Sequence, residues 1–290
     1  MPTGTLGVAP ELIDYQNYRF GRARQRFRGP KPDLSKPYVA FIGGSETYGK
    51  FVEAPFPNLV GQALGQNVAN WGTPEAGPGF FLKDPVVLEA CSCAKVCVIS
   101  VMGAPNLSNR LYSVFHRRNA RLKGFSKMLP LLFPEINLNS FRFVHNMLFN
   151  LYKANPENFK AVELELREAW IARMRELMEA IETTRVLVWM SVRAPEEDFG
   201  PKERGDFIVP PAFVNREMVE AIAPMADLLV EYVPSREMAA ANPDVEAPFF
   251  SGTGTGENAP ARYPGQAVHQ QAADLLAGPL RDVLAAKKVI

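Results

Sequence analysis

Ser45 stands where a serine hydroxyl could act as a nucleophile. The apolar, β-prone run Tyr38-Val39-Ala40-Phe41-Ile42 stops abruptly at Gly43-Gly44-Ser45-Glu46-Thr47-Tyr48-Gly49. Glycines there let the chain turn tightly and let a second group approach closely. A serine just past the carboxyl end of a strand sits where open α/β sheets bind ligands. To attack an acyl carbon it needs a base for its proton and preset donors for the oxyanion. Asn106, in Gly103-Ala104-Pro105-Asn106, and Asn109 follow the third apolar run. The histidines are His116, His145 and His269. His269 lies at the start of a helical pattern and is the candidate base. His145 has apolar neighbours and reads as structural. The plainer reading of Ser45 is a serine that suits a turn. A second group of residues is basic: Arg110, His116, Arg117, Arg118 and Arg121. Guanidinium forks suit carboxylate, sulfate or phosphate, which makes this group a candidate anion-binding patch. The alternative is a solvated helix face.

The elements that must position these residues follow from periodicity. Strand character appears at 38–42, 67–70, 95–101, 185–191 and 227–232. Helical patterns fall at 57–64, 84–90, 159–182, 211–223 and 267–286, with Asp84 as the expected N-cap and Pro85 in the first turn of the second. In the long pattern, Val162, Leu166, Trp170, Met174, Leu177 and Ile181 form one stripe. Strands alternating with helices predict a parallel sheet covered on both faces. Residues about 107–158 read as a helical insertion over the carboxyl edge of that sheet. Residues 1–36 form a separate basic and aromatic extension, expected to pack its aromatics on the domain and leave its arginines in solvent. Residues 37–290 form the α/β domain. The loop Ser251-Gly252-Thr253-Gly254-Thr255-Gly256 lacks the Lys-Ser/Thr of a phosphate-binding loop.

Bulk properties narrow the class. With 47% apolar and 22% charged residues, the chain reads as a globular domain. A net charge of +1 argues against nucleic acid or a membrane surface as partner. Cys91, Cys93 and Cys97 fit neither a zinc pattern nor a disulfide framework and are expected to be buried free thiols. Free thiols favour a reducing compartment. Met1-Pro2-Thr3-Gly4 shows no basic segment leading into an apolar one. No apolar run approaches the ~20 residues of a membrane span. A cytoplasmic location, no metal and no organic cofactor are the resulting expectations.

Four pieces occur in a telling order. They are Gly43–Gly49 after the first strand, Asn70-Trp71-Gly72-Thr73-Pro74-Glu75-Ala76-Gly77-Pro78-Gly79 after the second, Gly103–Asn106 after the third, and Tyr263-Pro264-Gly265-Gln266-Ala267-Val268-His269 before the last helix. Together with Phe56-Pro57-Asn58-Leu59-Val60, they resemble the SGNH, or GDSL-type, hydrolase superfamily across most of 38–286. The resemblance implies a flavodoxin-like three-layer α/β/α fold with a central parallel five-stranded sheet of order 2-1-3-4-5. It implies that Ser45 is the nucleophile. Oxyanion donors would be its own N–H, a loop amide near Glu75, Ala76 and Gly77, and the Asn106 side chain. His269 would be the base. The chain departs from the family pattern at Gly44, where the family has aspartate, and at Asn106, which sits one residue late. Aligned on the proline, Tyr263 takes the place of the family's histidine and Pro260 that of its aspartate. Alternatively His269 itself reaches Ser45, oriented by Glu257 or Asn258. The implied function is a serine esterase or acyl-transfer enzyme for an O-acylated, anionic carbohydrate or small ester. The rival is a catalytically silent SGNH-like domain that binds an anionic glycan or a protein partner.

Overall fold

A computed structural model describes residues 13–197, 207, 209–235, 245–246 and 262–286. The five apolar runs form one parallel sheet: β1 (Tyr38–Ile42), β2 (Asn67–Asn70), β3 (Val96–Ser100), β4 (Thr184–Met190) and β5 (Leu228–Tyr232). Within the sheet the order is β2-β1-β3-β4-β5, and every neighbouring pair is parallel. Counted over all strands of the chain, the numbers differ from the expected 2-1-3-4-5. An antiparallel pair, Tyr18–Arg19 with Arg26–Phe27, precedes the sheet, and a hairpin, Tyr112–Phe115 with Arg118–Phe125, interrupts it.

Helices cover both faces: α1 (Ser45–Tyr48), α2 (Phe56–Leu64), α3 (Pro85–Ser92), α4 (Val144–Ala154), α5 (Pro156–Glu179) and α6 (Gln266–Ala286). Side chains alternate across a strand, and the two cores follow that alternation. Val39, Phe41, Val96, Val98, Val186 and Val188 meet α2 and α6. Ala40, Ile42, Cys97, Ile99, Leu187 and Trp189 meet α3 and α5 on the other face. The expected stripe of the long helix is fully buried. Asn155 starts that helix by accepting the Asn158 N–H at 3.0 Å.

Several expectations are corrected. The first half of the insertion is the hairpin, not a helix; short helical segments and α4 make up the rest. The hairpin buries Val114 and Leu122 on the second core. Asp84 is the N-cap of α3 with Pro85 after it, as expected, but its carboxylate makes no capping bond: Oδ2 accepts the Arg24 N–H at 3.0 Å. The helix expected over 211–223 shortens to Arg216–Glu220, where Asn215 caps by accepting the Met218 N–H at 3.2 Å. All three cysteines are free, but Cys93 is exposed. The N-terminal segment packs aromatics as expected and leaves Arg19, Arg22, Arg24 and Arg26 exposed. Arg28, in contrast, is buried and donates to the carbonyls of Tyr48, Gly49, Val52 and Glu53.

Candidate active site

The turn after β1 is built around positions that tolerate no side chain. At Gly43 a Cβ would lie 2.2 Å from Thr47 Oγ1 and 2.7 Å from Ser100 Cβ. Gly49 closes α1 with φ at 72°, a left-handed conformation natural to glycine. Thr47 and Ser100 share a hydroxyl hydrogen bond of 2.7 Å, which pins α1 to the end of β3. Asn70, at the end of β2, donates to Thr47 O at 2.8 Å and accepts the Gly72 N–H at 2.9 Å. Three successive strand ends are thereby tied to one turn.

That frame brings Ser45, the 75–77 loop and Asn106 together. Glu75 takes a φ of +59°, a strained value for a residue with a side chain. In this conformation its N–H donates to Ser45 Oγ at 3.1 Å. Asn106 Nδ2 donates to the carbonyl of the same residue at 3.0 Å. Gly77 lies so close that a Cβ would fall 2.5 Å from Asn106 O. Ala76 is buried between these contacts. Ser45 is 5% exposed.

His269 does not stand as the base. Its Nδ1 accepts the Phe56 N–H at 3.1 Å, and its ring stacks on Phe56 with centroids 6.1 Å apart. Accepting that bond fixes the neutral ring as the Nε2–H tautomer, which leaves no lone pair for a serine proton. Burial, with Arg28 adding to it, pushes this imidazole down to about 3. The physical reason is placement: one turn into α6, position 269 faces α2. Among the described residues its buried Nε2 has no partner. His116 stacks on Phe80 at 5.7 Å, and burial lowers its pKa. His145 packs at 5.8 Å from Phe143. Glu257, Asn258 and Pro260 lie outside the described residues.

Residues that the sequence reading passed over surround the serine turn instead. Glu46 is 9% exposed, and its Oε1 has no partner among the described residues. Burial raises its carboxyl to about 7, with Lys50 opposing the rise. Lys50 Nζ donates to the hydroxyl of buried Tyr263 at 2.9 Å and lies 4.5 Å from the centre of that ring. Burial lowers the Lys50 ammonium, while Glu75 and Glu46 oppose the shift. Tyr263, which the resemblance set in place of a histidine, faces a lysine. The signal lay within and beside the motif, in the two charged residues Glu46 and Lys50.

The basic set does not converge. The Arg110 side chain is paired with Glu165 and Glu168, and its N–H donates to Glu165 at 2.7 Å. That pairing removes it as an anion ligand. Arg117 and Arg118 are exposed at the hairpin tip. Arg121 lies 5.8 Å from the Phe143 ring. What the hairpin does contribute is Asn119. In the orientation that satisfies both ends of its amide, it accepts the Gly77 N–H at 3.2 Å and donates to the carbonyls of Phe115 and His116. Beside it a cavity of about 210 Å³ opens among Asn106, Lys83, His116, Asn119, Arg173 and Glu176. Among the described residues there is no cluster of three or more side chains able to hold a metal, and no helix is long and apolar enough to cross a membrane.

The family described as Domain of unknown function (DUF6473) matches residues 5–284, and the chain belongs to it. No curated protein matches the chain. Among solved structures, the chain is similar to a protein from Lactobacillus plantarum, at 12% identity and a TM-score of 0.39, over 85% of this chain and 97% of that one. It is also similar to a "putative acylhydrolase" from Bacteroides fragilis, at 11% identity and a TM-score of 0.34, over 88% of this chain and 91% of that one. Likeness at this level bears on neither chemistry nor substrate.

Proposed function

We propose that the chain is a serine esterase or acyl-transfer enzyme of SGNH type, with Ser45 as nucleophile. The observation that carries the reading is the peptide at Glu75, whose N–H meets Ser45 Oγ while its carbonyl holds Asn106. A strained residue that presents an amide to a serine at a sheet's carboxyl edge is the arrangement acyl transfer requires. The donors for the oxyanion are the Ser45 N–H, the Glu75 N–H and the second Nδ2 hydrogen of Asn106, because the Ala76 and Gly77 N–H groups are held by Thr73 and Asn119. The substrate is a small O-acyl ester whose other end occupies the cavity beside Asn106. On its wall Arg173 and Glu176 pair with each other, which leaves Lys83 as the cation that favours an anionic substrate such as an acidic sugar ester. No metal or organic cofactor enters the scheme.

The occupied lone pair of His269 favours a second reading, a silent domain of the same fold that binds an anionic glycan. Hydrolysis of p-nitrophenyl acetate and butyrate separates the two. Ser45→Ala should lower the rate by at least about 10³-fold with little change in thermal midpoint, because the lost hydroxyl is small. A parent protein no faster than buffer, yet binding an acidic oligosaccharide in a salt-dependent way, would support the silent reading.

A further inference from the structure

Acyl transfer at Ser45 needs a proton acceptor; His269 has its Nδ1 lone pair occupied, and among the described residues no histidine is hydrogen-bonded to Ser45. What lies against the serine turn is the Glu46 carboxyl. A Cβ at Gly44 would sit 3.1 Å from Glu46 Oε2 and 4.0 Å from Ala76 O. The carboxyl thus fills the space left by the missing side chain at 44, on the side of the turn that faces the loop holding Ser45 Oγ. Its Oε1 is buried without a partner among the described residues. A buried acceptor left unsatisfied costs about 1–3 kcal/mol, so such an atom in a cleft calls for an explanation.

We infer that Glu46 stands in for the catalytic histidine: its carboxylate takes the Ser45 proton and returns it to the leaving group, with Lys50 and Tyr263 as positioning residues. This inference rests on the proposed nucleophile. In the first step Ser45 Oγ bonds to the acyl carbon as its proton passes to Glu46, and the carbonyl π pair moves to oxygen. The oxyanion then collapses, the bond to the alkoxide breaks, and the alkoxide takes the proton from the Glu46 carboxylic acid. Water or an acceptor alcohol repeats both steps with the roles reversed and frees Ser45. The groups facing the carboxyl are its own backbone N–H, Lys50 on the same turn and Tyr263 ahead of α6; Glu75 from the β2 loop acts on Lys50 and Tyr263, while Arg28 is engaged with carbonyls of the 48–53 segment. A carboxyl shifted toward neutral pH is suited to general-base work.

The test is the rate at which a fluorophosphonate labels the intact protein, followed by mass between about pH 5 and 9. Labelling joins Ser45 Oγ to phosphorus and expels fluoride, and the serine proton goes to the base. The expected parent rate rises through an inflection near pH 7, set by Glu46. Glu46→Gln should label about 10²-fold more slowly or worse and lose the inflection, while Glu46→Asp should recover part of the rate. Lys50→Met should keep most of the rate at high pH but move the inflection upward, because a cation that favours the carboxylate is gone. His269→Asn should label within about threefold of the parent, since an amide oxygen can accept the Phe56 N–H. A parent that labels at Ser45 with a rate flat from about pH 6 to 8 overturns the inference without any substitution. So does Glu46→Gln labelling like the parent, or Lys50→Met losing labelling as fully as Ser45→Ala. A parent that never labels overturns Ser45 as nucleophile, and the inference falls with it.

Discussion

Glu46 and His269 titrate in opposite senses because burial disfavours the charged form of each. His269 stays neutral down to about 3 in the folded chain, against 6.5 unfolded. Its contribution is therefore present above 6.5 and is lost on acidification, by about 1.4 kcal/mol per pH unit. Glu46 is raised from 4.5 to about 7. Its folded state holds the proton more tightly, so acidification from 7 to 4.5 stabilises the chain and rising pH removes that contribution. Between 4.5 and 6.5 the two effects offset; below 4.5 His269 acts alone. Urea unfolding as a function of pH should show this pair's contribution nearly level over that interval and falling below it. Glu46→Gln should begin its decline at 6.5. Equal slopes for parent and variant would contradict the burial of Glu46. At this scale the meeting of Ser45, the Glu75 loop and Asn106 could be read from glycines and order, whereas the burial of Glu46 and Lys50 could not. Nothing in the spelling of a turn shows which of its charged residues is folded inward.

At the level of elements, the site is a knot of strand ends. At Gly72 a Cβ would fall 2.3 Å from Tyr48 N, 2.6 Å from Thr47 C and 2.8 Å from Thr47 Cβ. The first two are backbone atoms of α1 and cannot swing aside. Gly72→Ala should cost about 1–3 kcal/mol and displace the helix that begins with Ser45. The expected outcome is a lower thermal midpoint together with slower labelling of the serine. An unchanged midpoint and labelling rate would mean that the loops are not packed as described. The strands were legible because burial on both faces demands short, nearly continuous apolar runs rich in β-branched residues. The insertion was not. Arg110, Arg117, Arg118 and Arg121 suggested a helix face, yet Tyr112–Phe115 and Arg118–Phe125 pair as strands. The turn between them, His116-Arg117, carries no Asn-Gly signal of the kind that marks a tight hairpin.

The whole molecule assembles one cleft from distant parts of the chain. The N-terminal segment sends Arg28 beneath the serine turn, the β2 loop sends Glu75, the β3 end sends Asn106, the hairpin sends Asn119, and Tyr263 arrives just before the last helix. The parallel sheet with helices on both faces explains why these parts meet at its carboxyl edge. The family match over residues 5–284 includes the N-terminal segment, which agrees with its role as part of the packed structure. The packing of its aromatics was legible beforehand; the burial of Arg28 was not, because nothing in the sequence separates it from Arg24 and Arg26, which stay in solvent. The most direct measurement of the central claim is peptide mapping of the fluorophosphonate-treated protein by mass spectrometry. The account expects one adduct per chain, on the peptide containing Ser45, and none after Ser45→Ala. An adduct on another residue, or its persistence after that substitution, would contradict it.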